Sequence, residues 1–125
     1  MEFNIKSGSP EKQRVACVVV GVYETRKLSF AADLLDRISN GFITDVLKRG
    51  DMDGKLGSTL VLHNVPNVFC DRVLLVGLGR ERDFDERAYR KASTAAAKAL
   101  RATGSIDAVS YLTRIPVKSH DWQWN

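Results

Sequence analysis

Val15-Ala16-Cys17-Val18-Val19-Val20 is the stretch that decides the fold of this chain. It is continuously apolar and rich in β-branched residues, whereas a strand with one face in water alternates between polar and apolar side chains. The stretch therefore predicts a strand that is covered on both faces and lies near the centre of a sheet. Arg72-Val73-Leu74-Leu75-Val76 has the same character and predicts a second buried strand.

Helix and strand patterns continue on both sides of these two stretches. Ser29 can cap a helix whose Leu34, Leu35 and Ile38 fall on one face, and Asn40-Gly41 can end that helix in a left-handed conformation. The remaining patterns predict strands at residues 2–6, 59–63 and 107–113, and a short helix that carries Phe42, Ile43, Val46 and Leu47.

A long helix is predicted from Asp85 to about Thr103. Asp85 can accept a hydrogen bond from the first turn of the helix, and Gly104 can end the helix. Phe84 and Tyr89 are placed to pack together as a hydrophobic staple.

The elements therefore follow one another as strand, strand, helix, helix, strand, strand, helix, strand. This order predicts an α/β fold with a mixed β-sheet flanked by helices. Parallel neighbours are expected where a helix connects two strands, and such connections are nearly always right-handed.

Length and composition predict one soluble domain. The chain has 125 residues, 44% hydrophobic and 27% charged, which excludes collagen-like, low-complexity and wholly disordered proteins. No apolar stretch approaches the roughly 20 residues that span a bilayer, and no secretory signal pattern begins the chain, so a cytoplasmic setting is expected. Cys17 and Cys70 lack metal or redox spacing and are interpreted as buried thiols.

Motifs for bound ligands are weak. Val76-Gly77-Leu78-Gly79-Arg80-Glu81-Arg82 sits between a strand and a helix, as a dinucleotide-binding turn does, but Arg82 replaces the third glycine, so a tight strand-to-loop turn is preferred. Asp51-Met52-Asp53-Gly54 lacks the later ligands of a calcium loop and is interpreted as a turn. Neither His63 nor His120 has a companion at metal-ligand spacing. We assign no catalytic residue, no metal ligand and no cofactor to this segment.

One face of the long helix is strongly basic. With about 100° per residue and Arg87 at zero, Arg90 lies at about 300°, Lys91 at about 40°, Lys98 at about 20° and Arg101 at about 320°. We call these five residues the basic stripe. They are candidate contacts to the phosphates of double-stranded DNA, although a solvated helix face has the same pattern. The other side of the helix carries Ala88, Ala92, Ala95, Ala96, Ala99 and Leu100.

Several blocks, in order and spacing, resemble the bacterial leucyl aminopeptidases of the PepA type. One of them is Leu62-His63-Asn64-Val65-Pro66-Asn67-Val68. The others span residues 1–14, 72–82, 85–87 and 103–105. The resemblance runs through essentially the whole chain and covers the amino-terminal domain of that family.

The resemblance implies a macro-domain-like fold, with residues 1–115 as a non-catalytic amino-terminal domain. Residues 116–125 are then expected to be a truncated linker toward an absent catalytic domain. In the family, that catalytic domain holds two divalent metals, manganese or zinc, which activate water for release of amino-terminal residues from peptides. Its Asn-Thr-Asp-Ala-Glu-Gly-Arg signature does not occur here, so no catalytic or metal-binding residue is transferred.

The family also implies partners. Its members are cytoplasmic hexamers whose amino-terminal domain extends outward from the catalytic core, and some bacterial members bind DNA. We therefore expect an accessory domain that serves assembly and binds double-stranded DNA through the basic stripe. Two alternatives stay open at this point. One is a stand-alone macro-like module that binds a nucleotide or ADP-ribose at Gly77-Leu78-Gly79, and the other is a structural domain without such a partner.

Overall fold

A central strand covered on both sides organises the molecule. The computed structural model describes residues 2–4, 9–105 and 107–117. In these residues the strands are β1 (Glu2–Asn4), β2 (Cys17–Tyr23), β3 (Thr59–His63), β4 (Arg72–Gly79) and β5 (Asp107–Ser110). The α-helices are α1 (Phe30–Ile38), α2 (Phe42–Lys48) and α3 (Glu86–Thr103).

The described strands form one five-stranded mixed sheet in the order β1-β5-β2-β4-β3. β2 lies in the centre, parallel to both β5 and β4. β1 is parallel to β5, and β3 is antiparallel to β4 at one edge. The predicted element order, the mixed sheet and the central position of the first buried strand are confirmed.

Two hydrophobic cores, one on each face of the sheet, explain the continuous apolar stretches. Alternate side chains of β4 enter different cores: Val73 and Leu75 pack on the side of α1 and α2, whereas Leu74, Val76 and Leu78 pack on the side of α3. Because both faces are covered, no position along the strand favours a polar side chain.

α1 presents a different face to the sheet from the one predicted. Ala31, Ala32 and Leu35 are buried, whereas Ile38, which the sequence places on one face with Leu34 and Leu35, is 38% exposed. The Ser29 hydroxyl accepts hydrogen bonds from the backbone N–H of Ala32 and of Gly21 in β2, each at 3.3 Å. These two hydrogen bonds hold the start of α1 against β2, so the alanines in the first turn of the helix face the sheet.

The last strand is shorter than predicted. β5 ends at Ser110, because the Ser110 hydroxyl accepts a hydrogen bond from the backbone N–H of Leu112 at 3.2 Å and the chain turns there into a short 3-10 helix, Leu112–Arg114. The predicted strand residues 5 and 6 and the predicted linker residues 118–125, which include His120, lie outside the described residues.

Cys17 and Cys70 are free and buried, as predicted. Burial raises the pKa of the Cys17 thiol to about 12 and that of the Cys70 thiol to about 11. Both thiols are therefore neutral near pH 7, and a neutral thiol is a poor nucleophile.

The start of α3 matches its sequence signals. The Asp85 carboxylate accepts a hydrogen bond from the backbone N–H of Ala88 at 2.9 Å, and the Phe84 and Tyr89 rings meet edge to face with centroids 6.4 Å apart. Gly104 ends the helix at a φ of 71°. The predicted cap, staple and stop are confirmed.

Removal of the α3 cap gives a first prediction. Asp85→Ala is expected to lower the free energy of unfolding by about 1 kcal/mol, because the first turn of the helix loses a hydrogen-bond acceptor. Asp83→Ala is the matched control: its carboxylate makes an exposed pair with Arg80 at 3.8 Å, worth less than about 0.5 kcal/mol. Urea unfolding of the three proteins measures the difference, and equal midpoints for the two variants would contradict the assigned cap.

Candidate nucleic-acid interface

α3 is seated on the sheet through small side chains. Ala88, Ala92, Ala96 and Leu100 are buried, and their spacing of four residues keeps them on one side of the helix. Alanine ends at Cβ, so the helix can lie close to the sheet while its opposite side stays in water. This arrangement determines which residues of α3 are available to a partner.

The basic stripe is exposed along its whole length. Arg87, Arg90, Lys91, Lys98 and Arg101 all lie in α3, and all five are exposed. With a rise of about 1.5 Å per residue, they extend over about 21 Å of helix. Duplex DNA carries one phosphate charge per about 1.7 Å of its axis, so a stripe of this length can meet several phosphates.

The stripe also accounts for the net charge of the chain. α3 contains the five cations of the stripe and one carboxylate, that of Glu86, and therefore carries +4. The whole chain has 19 Lys and Arg against 15 Asp and Glu, which is also +4. The rest of the chain is consequently balanced. A net charge confined to one helix face gives a stronger local potential than the same charge spread over the surface.

Two neighbours modify the stripe. Arg90 forms an exposed ion pair with Glu86, 3.2 Å between Nη2 and Oε1, so Arg90 is the member whose charge is partly neutralised. Lys91 lies over Gly57, where an added Cβ would sit 3.4 Å from Lys91 Cε. Lys55 is exposed in the same loop. The stripe therefore lies beside a loop that carries one further exposed cation, Lys55, which the helical pattern alone did not reveal.

β4 continues through Gly77-Leu78-Gly79, three residues further than predicted, and the strand-to-loop turn comes at Gly79, with a φ of 74°, and the 3-10 helix Glu81–Asp83. The segment is the end of β4, and the loop before β3 lies directly on it. The backbone N–H of Gly77 donates to the Ser58 carbonyl at 2.8 Å, and a Cβ at Gly77 would lie 2.0 Å from the Lys55 carbonyl oxygen. Because these glycines have no side chain, the backbone of the loop before β3 packs directly on them. The site considered there for a nucleotide or ADP-ribose is therefore occupied by the chain itself.

The acidic and histidine candidates do not form a metal site. Asp53 accepts a hydrogen bond from the backbone N–H of Lys55 at 3.0 Å, Asp51 lies 3.4 Å from the Arg49 guanidinium, and His63 is exposed at the end of β3. Among the described residues, no three His, Cys, Asp or Glu side chains come together to hold a metal ion. The described part of the chain therefore does not fit a two-metal centre. Its helices include none that is long and apolar enough to cross a membrane.

The sequence did not reveal a cavity of about 670 Å³ at the carboxyl ends of β2 and β5. Its lining residues come from four separate parts of the chain, within residues 9–10, 23–34 and 111–116 and at Glu81. We call it the edge cavity. Its walls come from residues far apart in the sequence, so no local pattern marks it.

The fold defines a class first. The structure is similar to the macrodomain of Mycobacterium tuberculosis DarG, with a TM-score of 0.67 at 12% identity over 86% of this chain and 74% of that one. It is equally similar to a variant of tomato leucine aminopeptidase, with a TM-score of 0.67 at 21% identity over 88% of this chain and 22% of that one. The fold is therefore macro-domain-like, as the resemblance implied.

The sequence then defines the family. Residues 19–125 match the model of the cytosol aminopeptidase family, N-terminal domain, and the chain belongs to that family. A probable cytosol aminopeptidase of Chromobacterium violaceum is 71% identical over 124 residues, which are 99% of this chain and 24% of that protein. The chain thus spans about a quarter of the length of the curated relatives it matches.

Proposed function

We propose that this domain is the non-catalytic part of a leucyl aminopeptidase and that it binds double-stranded DNA through the basic stripe. Residues 1–115 act as the domain, and residues 116–125 lead toward a catalytic domain. The whole enzyme is a cytoplasmic hexamer in which this domain serves assembly. Peptide hydrolysis, and the two manganese or zinc ions that support it, belong to the catalytic domain.

One observation carries the DNA-binding part of the proposal. The net positive charge of the chain is concentrated on the exposed face of α3, opposite the face that packs on the sheet. Arginine and lysine side chains that neutralise phosphates release condensed counterions, which is the main source of sequence-independent affinity for a duplex. Phosphate contacts position a protein without reading sequence, so the stripe supports general duplex binding.

Charge reversal tests the proposal. Changing Arg87, Arg90 and Lys91 to glutamate is expected to weaken binding to a random-sequence duplex. The slope of log affinity against log salt concentration should become shallower by about 3, because up to three phosphate contacts are lost. Fluorescence anisotropy with labelled duplex at a series of salt concentrations measures both quantities.

The matched control changes Lys12, Arg26 and Lys48 to glutamate. These exposed cations lie outside α3, and their reversal alters the net charge by the same amount. The control should retain the salt slope of the unchanged protein. Equal losses in the two triple variants would mean that net charge alone is responsible, and the stripe would then have no specific role.

A further inference from the structure

β3 is an edge strand of the described sheet. Among the described strands it pairs with β4 alone, on the side toward the centre of the sheet. Proteins usually protect such edges with charged side chains, because an open row of N–H and C=O groups can pair with another chain. Residues 56–70, which contain β3, include no Lys, Arg, Asp or Glu. The edge therefore lacks the usual charge protection against pairing.

The hydrogen-bond pattern with β4 shows which backbone groups of β3 face outward. Ser58 stands opposite Gly77, and its carbonyl accepts the Gly77 N–H at 2.8 Å. Hydrogen-bonded pairs recur at every second residue of an antiparallel ladder, so residues 60 and 62 also direct their backbone groups at β4. No backbone hydrogen bond joins the alternate positions to another segment of the described chain. The N–H and C=O groups that point away from the sheet therefore belong to Thr59, Val61 and His63.

The side chains of β3 are arranged symmetrically about its middle residue, Val61. Leu60 and Leu62 lie on the side of α1 and α2, and Val61 lies on the side of α3. Val61 is half-buried, and Thr59 and His63 on the same face are exposed. A two-fold axis through Val61 would therefore bring apolar side chains together at the centre of a strand pair and polar ones at both ends.

We propose that two copies of this chain pair through β3, antiparallel and centred on Val61, to form one continuous sheet. In this register Val61 faces Val61 of the second copy, and Thr59 faces His63 of the second copy. Leu60 and Leu62 face each other across the same axis on the opposite side of the sheet. The three outward N–H groups and three outward C=O groups of each copy all find a partner.

No other two-fold register within β3 satisfies all of these groups. When the axis moves by one residue, the outward groups at one end of each strand no longer lie opposite a residue of β3. The register centred on Val61 is therefore the one in which the strand is fully complementary to itself. One patch that meets its own copy defines a closed two-fold dimer, which does not continue into fibres.

The pairing would provide the surface for the role in assembly proposed above, and the inference rests on that role. β3 has five residues and extends over about 17 Å, so the contact is smaller than that of a permanent dimer and should be weak. The axis of an antiparallel pair is perpendicular to the sheet, so both α3 helices stay on the same face of the joined sheet. We therefore specify about 0.15 M salt, where a screening length of about 8 Å limits repulsion between the two basic stripes.

A single cysteine tests the register. Val61→Cys places two thiols opposite each other in a hydrogen-bonded pair, where the Cα atoms are about 5.5 Å apart, within the range of a disulfide. Thr59→Cys is the matched control, because the two copies of residue 59 stand four positions apart along the paired strands, about 14 Å. Under mild oxidation by copper phenanthroline, Val61→Cys should give at least tenfold more disulfide-linked dimer than Thr59→Cys on a non-reducing gel. Cys17 and Cys70 are buried, and the unchanged chain measures their background.

Charged variants at the same position test the pairing without oxidation. Val61→Lys places two like charges opposite each other and should weaken dimer formation about tenfold in sedimentation velocity. An equimolar mixture of Val61→Lys and Val61→Glu should form the dimer again, because opposite charges then meet across the axis. Val117→Lys makes the same change in a side chain that is 41% exposed and lies outside β3, and it should leave dimer formation unchanged. Circular dichroism checks that each variant folds.

Three results would overturn the inference. The first is an unchanged chain that stays monomeric up to about 1 mM, where even a very weak dimer is populated. The second is equal cross-linking of Val61→Cys and Thr59→Cys, which would place the contact at another register or surface. The third is a dimer that Val61→Lys does not weaken, which would leave the role in assembly to a different surface. None of these measurements contains DNA, so a failure of the proposed duplex binding would be a separate result.

Discussion

Phe84→Ala is expected to lower the free energy of unfolding by about 4 kcal/mol, close to the limit that a domain of ordinary stability tolerates. Phe84 is 1% exposed and lies in the core between the sheet and α3. Its ring meets Tyr23 at 6.3 Å and Tyr89 at 6.4 Å between centroids, both edge to face. Truncation therefore removes buried apolar surface, leaves a cavity and breaks two aromatic contacts at once.

Phe30→Ala is the matched control for this prediction. It makes the same chemical change in a side chain that is 76% exposed, and it should alter stability by less than about 0.5 kcal/mol. Denaturant unfolding of the two variants with a common m-value measures the contrast. A loss below about 2 kcal/mol for Phe84→Ala would show that the core between the sheet and α3 relaxes around the missing ring.

Gly77→Ala is expected to lower the free energy of unfolding by about 3 kcal/mol or more. The added Cβ would stand 2.0 Å from the Lys55 carbonyl oxygen and 2.3 Å from the Ser58 hydroxyl oxygen. The loop cannot yield at low cost, because the Gly77 N–H bonds the Ser58 carbonyl and the Gly79 N–H bonds the Gly54 carbonyl at 2.9 Å. The loop must therefore separate from β4, and Lys91 loses its support at Gly57.

Gly104→Ala, compared with Gly77→Ala, distinguishes the cost of backbone strain from the cost of steric crowding. Gly104 has a φ of 71° with nothing within 4 Å of an added Cβ, so its replacement costs only the left-handed conformation, about 1 to 2 kcal/mol. Thermal and urea unfolding should rank Gly77→Ala well below Gly104→Ala in stability. The reverse ranking would mean that the loop before β3 moves away easily.

Local sequence signals predicted the elements whose causes are local. The long helix shows this best: Asp85, Phe84, Tyr89 and Gly104 act within one turn of a helix end, so their roles could be recognised without knowing the fold. The basic stripe was predictable for the same reason, since helix periodicity alone places its five members on one side.

Local sequence patterns gave wrong predictions where contacts with a distant segment of the chain determine the structure. Ile38 has the correct spacing for a core position, but hydrogen bonds from the backbone of β2 and α1 to Ser29 set the rotation of the helix and leave Ile38 partly in water. Gly77 was expected to belong to a turn, but it lies within β4, and its requirement for glycine comes from a loop about twenty residues earlier in the chain.

By itself, the sequence determined the order of strands and helices, the two buried central strands and the charged face of α3, because runs of apolar residues, caps and periodicity act over a few neighbouring positions. Only the tertiary structure determined the strand order, the face of α1 that packs on the sheet, the packing of the loop before β3 on the glycines of β4, and the edge cavity. Those features depend on surfaces that meet only after the chain has folded, and the free energy of such contacts is not encoded in any single stretch.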